Sequence, residues 1–108
     1  MTIEKSKIKF GLKELQNLRG VMTFARLLTS YRTAVDLTQV ELAKKLKLSK
    51  ANLCDLEKGR KIPSPARAEE IAKALKELPQ YWVEVAVQDM LTSQKLKYVV
   101  KLEGDKIA

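Results

Sequence analysis

Apolar positions recur at helical spacing through most of this chain and change to strict alternation only near its two ends. Phe24, Leu27, Leu28, Tyr31 and Val35 form the inner stripe of a helix that Thr23 can cap. Val40, Ala43 and Leu46, widened by Leu42, predict a second helix, and Leu53 and Leu56 a third. Ala68, Ile71, Ala72 and Leu75 predict a fourth. A fifth starts at Pro79, with Val83, Ala86, Val87, Met90 and Leu91 on one face and Tyr81 and Trp82 at its base. Upstream of these, Leu12, Leu15 and Leu18 predict a short extra helix from Gly11 to Arg19. Alternation at Ile8, Lys9 and Phe10 is a strand signal, as is Leu96, Tyr98, Val100 and Leu102 sharing one face near the other end. A lone strand leaves backbone groups unpaired, so the C-terminal one requires a partner. Either the Lys7–Phe10 strand of the same chain or a copy of itself in a second chain would serve.

The boundaries of the second and third helices carry the most information. Thr38 followed by Glu41 is a capping box, in which the hydroxyl accepts an N–H of the first turn and the glutamate reaches back to the threonine N–H. The helix breaks at Lys47-Leu48, and Ser49 is the N-cap of the next one. Gly59 ends that helix, because glycine enters the left-handed region without steric cost. Two short helices joined by a turn of about three residues have the spacing of a helix-turn-helix. Beyond a basic loop, Arg60-Lys61-Ile62-Pro63, the pair Ser64-Pro65 restarts the chain as a helix with serine at the N-cap and proline at N1.

Charge sharpens this picture. The net charge is +8 over 108 residues, and it is unevenly placed. Lys44, Lys45, Lys47, Lys50, Lys58, Arg60, Lys61 and Arg67 fall in the two-helix motif and the loop after it, opposed in that window by Glu41, Asp55 and Glu57. A basic cluster on a helix-turn-helix is the electrostatic footprint of a phosphate backbone. Other chemistries are excluded by composition. There is no histidine and one cysteine, Cys54, so no disulfide within the chain and no usual zinc ligand set is expected. Cys54 reads as a packed or idle thiol. The four glycines are isolated, so no phosphate-cradling loop is present, and nothing gathers Lys, Asp and Glu into a catalytic pocket. No cofactor, no enzymatic activity and a cytoplasmic location are expected, since no secretion leader or membrane-spanning run is evident. The organisation that follows is an N-terminal strand and helix extension (1–22), a helix-turn-helix domain (23–93) and a C-terminal strand and tail (94–108).

From Leu27 to about Leu75 the chain resembles the Cro/C1 (Xre-like) helix-turn-helix family of DNA-binding regulators. The matching residues are Leu37-Thr38-Gln39, Leu42-Ala43, Leu46-Lys47-Leu48-Ser49, Leu53, Leu56-Glu57-Lys58-Gly59-Arg60, Pro63-Ser64 and Ile71-Ala72-Lys73-Ala74-Leu75. The resemblance implies a mainly α, five-helix lambda-repressor-like domain, here with an extra N-terminal helix and short terminal strands. It also implies a partly buried salt bridge between Arg32 and Glu57, tying the first helix to the end of the third. Family members often carry glycine where this chain has Asp36, a residue that tolerates the left-handed region. The stretch Leu78 to Val85 is also similar to HigA-type antitoxins of the same superfamily.

In a helix-turn-helix the second helix of the motif enters the major groove, with its N-terminal residues at the base edges. The exposed positions there are Ser49, Lys50, Ala51, Asn52, Asp55 and Lys58. Lys50 can donate to guanine, Asn52 can pair with adenine or meet a phosphate, Ala51 can touch a thymine methyl, and Asp55 can accept from cytosine. The resemblance places Lys50, Ala51 and Asp55 at base-reading positions, where many relatives carry glutamine. It gives Gln39 the family's phosphate contact, which Lys47, Lys58, Arg60 and Lys61 would extend. One such helix reads few base pairs, so a homodimer is expected, built from Trp82, Val83, Val87, Met90, Leu91, Tyr98 and Val100. The expected function is sequence-specific binding of double-stranded DNA by a transcriptional regulator, a repressor. The alternative is an antitoxin that neutralises a toxin encoded beside it and represses its own operon.

Overall fold

The computed structural model describes residues 22–103, and the expected strand at Lys7–Phe10 and helix at 11–19 lie outside them, as does the end of the tail from Gly104. The described chain forms five helices, α1 Phe24–Ala34, α2 Gln39–Leu46, α3 Lys50–Glu57, α4 Pro65–Ala74 and α5 Pro79–Ser93. Local chemistry sets most of their ends. Thr23, Thr38, Ser49 and Ser64 each accept, through the side-chain oxygen, the N–H of the residue three positions on. At Thr38 the reciprocal bond is also present, Thr38 N–H donating to Glu41 Oε1 at 2.8 Å. That bond, with a second from the Thr38 hydroxyl, holds the Glu41 carboxyl below its ordinary value.

The turns between helices use the left-handed region repeatedly. Asp36, Lys47 and Lys76 adopt φ near +60°, and Gly59 has φ +76°. A Cβ on Gly59 would make only ordinary contact with Ala25, so the backbone conformation, and not crowding, calls for glycine there.

One core joins all five helices. It contains Phe24 and Leu28 of α1, Leu42, Ala43 and Leu46 of α2, Leu53 and Leu56 of α3, Ala68, Ile71 and Ala72 of α4, and Trp82, Val85 and Ala86 of α5. Trp82 is its largest member, 1% exposed, and meets Phe24 and Tyr31 edge-on with centroids 5.7 and 6.0 Å apart. Each such aromatic pair contributes about 0.5–1.5 kcal/mol beyond the area it buries. A polar tie reinforces this contact, because Asp89 of α5 accepts the Phe24 N–H at 3.0 Å and so caps α1 from across the fold. Burial of the Asp89 carboxyl pushes it above its ordinary 3.8, with the bond from Phe24 opposing.

Four expectations need correction. Val35 and Val40 are 44% and 51% exposed, although their spacing placed them on inner stripes. Each stands at a helix end that projects past the core, where phase no longer decides burial. Trp82 lies inside the core and is not available to a dimer interface. The fourth concerns Leu96–Leu102, which forms no strand. The segment runs back along α5, and the backbone groups of Tyr98, Val100 and Leu102 bond to side chains of that helix. Gln88 Nε2 donates to Tyr98 O at 2.9 Å, and the Val100 N–H donates to Gln88 Oε1 at 2.7 Å. The Leu102 N–H donates to Glu84 Oε2 at 3.2 Å, and Gln80 Nε2 donates to Leu102 O. Residues at four-residue spacing on one helix face therefore serve alternate residues of the extended chain, because both repeats advance by about 6 Å.

Candidate nucleic-acid interface

The motif is α2, the turn at Lys47-Leu48-Ser49, and α3. Its turn is closed by Lys47 N–H donating to Lys44 O at 3.1 Å and Leu48 N–H to Ala43 O at 2.8 Å. Leu48 packs against the core, so the turn is anchored while Lys47 stays exposed. Leu53 is fully buried and Leu56 nearly so. These two leucines set the roll of α3, and the roll leaves Ser49, Lys50, Ala51 and Asn52 exposed together on its first turn. Ser49 spends its oxygen on the Asn52 N–H at 3.0 Å, but its hydroxyl hydrogen remains available as a donor.

Beneath this face lies a compact polar seam. Arg32 Nε donates to Glu57 Oε2 at 2.7 Å, with the Glu57 side chain 4% exposed. Arg32 Nη1 also donates to Leu37 O at 3.1 Å, across the α1–α2 connection. The second carboxylate oxygen, Glu57 Oε1, accepts from Gln39 Nε2 at 2.9 Å. Both oxygens of a nearly buried carboxylate are thus served, which is what such a group requires. The seam fixes α1, the start of α2 and the end of α3 to one another.

Gln39 belongs to this seam and to the surface at once. An amide nitrogen carries two hydrogens, so the bond to Glu57 orients the group without exhausting it. It lies at the first position of α2, beside an open groove bordered by Asp36, Thr38, Val40 and Lys50. Helix N–H groups, an amide hydrogen and a lysine therefore border one hollow, an arrangement suited to a phosphate. Val40 is the member that pattern reasoning assigned inward.

On the other flank, the sites expected to read bases and those expected to hold phosphate meet. Asp55 pairs with Arg60 at 3.4 Å and Lys61 at 3.7 Å, and Asn52 Oδ1 accepts from Lys61 Nζ at 3.4 Å. The Asp55 carbonyl additionally accepts the Arg60 and Lys61 N–H groups at 2.9 and 3.3 Å. Asp55 thus ties the basic loop to the recognition helix, a role that sequence reasoning missed; the five-residue offset from Asp55 to Arg60, across a glycine, was the available signal. Lys58 is exposed at the C-cap of α3, and Cys54 is half-buried. Of the remaining residues expected at a dimer interface, Val83, Val87 and Leu91 are half-buried on α5, Met90 is 37% exposed, Tyr98 is 69% exposed and Val100 is half-buried. Among the described residues, no group of Cys, Asp and Glu side chains could hold a metal, and no helix is long and apolar enough to cross a membrane.

Comparison with known proteins agrees with this geometry. A helix-turn-helix family model matches residues 28–82, just over half of the chain, covering most of α1, all of α2 to α4 and the start of α5. No curated protein and no solved structure matches.

Proposed function

Because the chain belongs to the Cro/C1-type helix-turn-helix family of DNA-binding regulators, we propose that it is a transcriptional repressor that binds a specific double-stranded site as a homodimer. The observation that carries the reading is the pairing of an exposed first turn of α3 with a seam that leaves α3 no freedom to roll. Lys50, Ala51 and Asn52, with Ser49, meet the base edges from the N-terminal end of α3, and Asp55 does so one turn later. Gln39 and the α2 N-terminus hold one phosphate, Arg60 and Lys61 hold the backbone on the opposite flank, and Lys47 and Lys58 add general attraction. For Asp55 to accept from a cytosine, its exposed pairs with Arg60 and Lys61 must open. Such pairs are worth about 0–1 kcal/mol, and phosphates would take over their cations. No catalytic role and no cofactor belong to this reading.

A second reading, antitoxin, is favoured by Leu78 and Tyr81 at the start of α5, which are 74% and 44% exposed and offer apolar contact to another protein. They lie in the stretch that resembles HigA-type antitoxins, a branch the family match does not distinguish. Both readings use the same DNA-binding face.

Fluorescence anisotropy on the DNA upstream of the protein's own gene, against scrambled DNA of equal length at two salt concentrations, tests the proposal. A preference of about a thousandfold or more that survives ~150 mM salt is expected of a specific regulator. Weak and equal binding that vanishes with salt would overturn it, leaving only phosphate attraction.

A further inference from the structure

Two residues of the reading face share a partner that comes from outside the helix. Asn52 and Asp55 stand three positions apart on α3 and so lie on one side of it. Lys61, in the loop beyond Gly59, brings its ammonium within reach of both, with Nζ 3.4 Å from Asn52 Oδ1 and 3.7 Å from Asp55 Oδ2. The loop holds the lysine there. Its N–H donates to the Asp55 carbonyl at 3.3 Å, and Ile62 and Pro63 after it are half-buried and buried. The lysine side chain itself is 60% exposed, so it is open to whatever docks on α3.

An ammonium has three hydrogens and no lone pair, so it bonds to an amide at the oxygen alone. Lys61 therefore fixes which way Asn52 points. The amide oxygen is turned to the lysine, and among the described residues no acceptor takes the Nδ2 hydrogens. Reversing the amide would break this bond and set N–H groups against a cation. The contact of Lys61 with Asp55 is the longer of its two, and that carboxylate is shared with Arg60. It is the contact a phosphate would replace, while the bond to Asn52 stays and strengthens as docking excludes water. Guanine presents two acceptors side by side in the major groove, O6 and N7, whereas adenine presents one acceptor beside an amino group. An amide offering N–H, with a lysine cation next to it, suits guanine and repels the amino group of adenine.

We propose that Lys61 is a positioning residue for Asn52, fixing it as a hydrogen-bond donor and so selecting guanine over adenine at the base pair it meets. An asparagine without this partner offers its oxygen and nitrogen together, the arrangement that pairs with adenine. The proposal rests on the reading of DNA sequence by α3 proposed above. It gives Lys61 a share in base choice besides its hold on the backbone, and it separates Lys61 from Arg60, which touches no other reading residue than Asp55 among the described contacts.

The test is selection of the full chain and its variants on random duplex DNA, scored base by base. Asn52→Ala identifies the position concerned, as the one whose preference it abolishes. The wild type is expected to enrich guanine there. Lys61→Met should lower the ratio of guanine to adenine at that position about tenfold and leave the other positions unchanged. Lys61→Arg should keep the preference, because a guanidinium also only donates. Both residues are exposed, so each variant should retain the wild-type helical circular dichroism spectrum. Adenine enriched at that position in the wild type overturns the proposal. So does a Lys61→Met protein that binds all sequences more weakly with its ratio intact, which would leave Lys61 a backbone contact alone. Loss of the preference in Lys61→Arg, or an Asn52→Ala protein with every preference unchanged, overturns it while leaving sequence reading by α3 intact. A wild type that enriches no motif overturns the proposal together with that reading.

Discussion

Arg32 and Arg60 both meet a carboxylate at the recognition helix, yet their surroundings give them opposite tasks. Arg32 lies against Glu57 at 2.7 Å, where the carboxylate is 4% exposed and its other oxygen is taken by Gln39. Arg60 stands 3.4 Å from Asp55 with its own side chain 62% exposed. The first carboxylate is enclosed and bonded at both oxygens, so the pair resists disruption and locks three elements. The second is solvated and weakly held, so its members can exchange one another for DNA. Burial and partner count, not residue type, separate scaffold from contact surface on the two sides of α3.

The largest expected effect comes from breaking the inner side. Glu57→Ala strips Arg32 and Gln39 of a shared partner, and should cost about 3 kcal/mol in chemical denaturation, because removing one member of an enclosed pair leaves the other uncompensated. A loss under about 1 kcal/mol would put the seam in the same class as the outer pairs.

On the outer side, two single changes should divide specificity from attraction. Lys50→Ala should weaken binding to the preferred site by about 1–3 kcal/mol and relax base preference, with little change in folding stability. Arg60→Ala should weaken binding nearly equally on all sequences and lower the salt slope by about 1. Titrations of each variant on cognate and scrambled DNA over a salt series separate the outcomes. If Lys50→Ala behaved as Arg60→Ala is expected to, the division of roles across this face would be lost.

The smallest effect distinguishes a third kind of carboxylate. Asp89 caps α1 but is desolvated enough to sit above its ordinary 3.8. A raised value in the folded state means that the stability tied to the protonated form is complete below the unfolded value and is lost as pH rises through the folded one. Asp89→Asn cannot ionise, so its melting temperature relative to wild type should rise modestly as pH increases from below 4 to neutrality. A relative fall over that range would show that the charge itself, attracted to the α1 N-terminus, outweighs desolvation.

Much of this comparison was legible from sequence because it is local. Thr38 with Glu41, Ser49, Gly59 and Ser64-Pro65 each mark a helix end through a signal confined to the few residues around it, and each does so in the structure. The Arg32–Glu57 pair came from family resemblance, since nothing in the spacing of residues 25 positions apart indicates contact. What stayed hidden is non-local. Val40 keeps helical phase with Ala43 yet faces the groove, because the first turn of α2 extends past the core. Trp82 is as apolar as an interface residue would be, and only the packing of α1 on α5 shows that Phe24 and Tyr31 enclose it. The alternation at Leu96–Leu102 correctly signals extended chain, but a strand is defined by its partner, and here Gln80, Glu84 and Gln88 take that place.

The central claim is that α3 reads sequence from a locked scaffold. Selection of the purified protein on random duplex DNA, followed by sequencing of the bound fraction, addresses it most directly. The expected result is one enriched motif of two half-sites related by a two-fold axis, centred ~34 Å apart so that two copies of α3 enter successive major grooves. A bound pool with no enriched motif, retained only at low salt, would contradict the claim and reduce the basic face to an electrostatic surface.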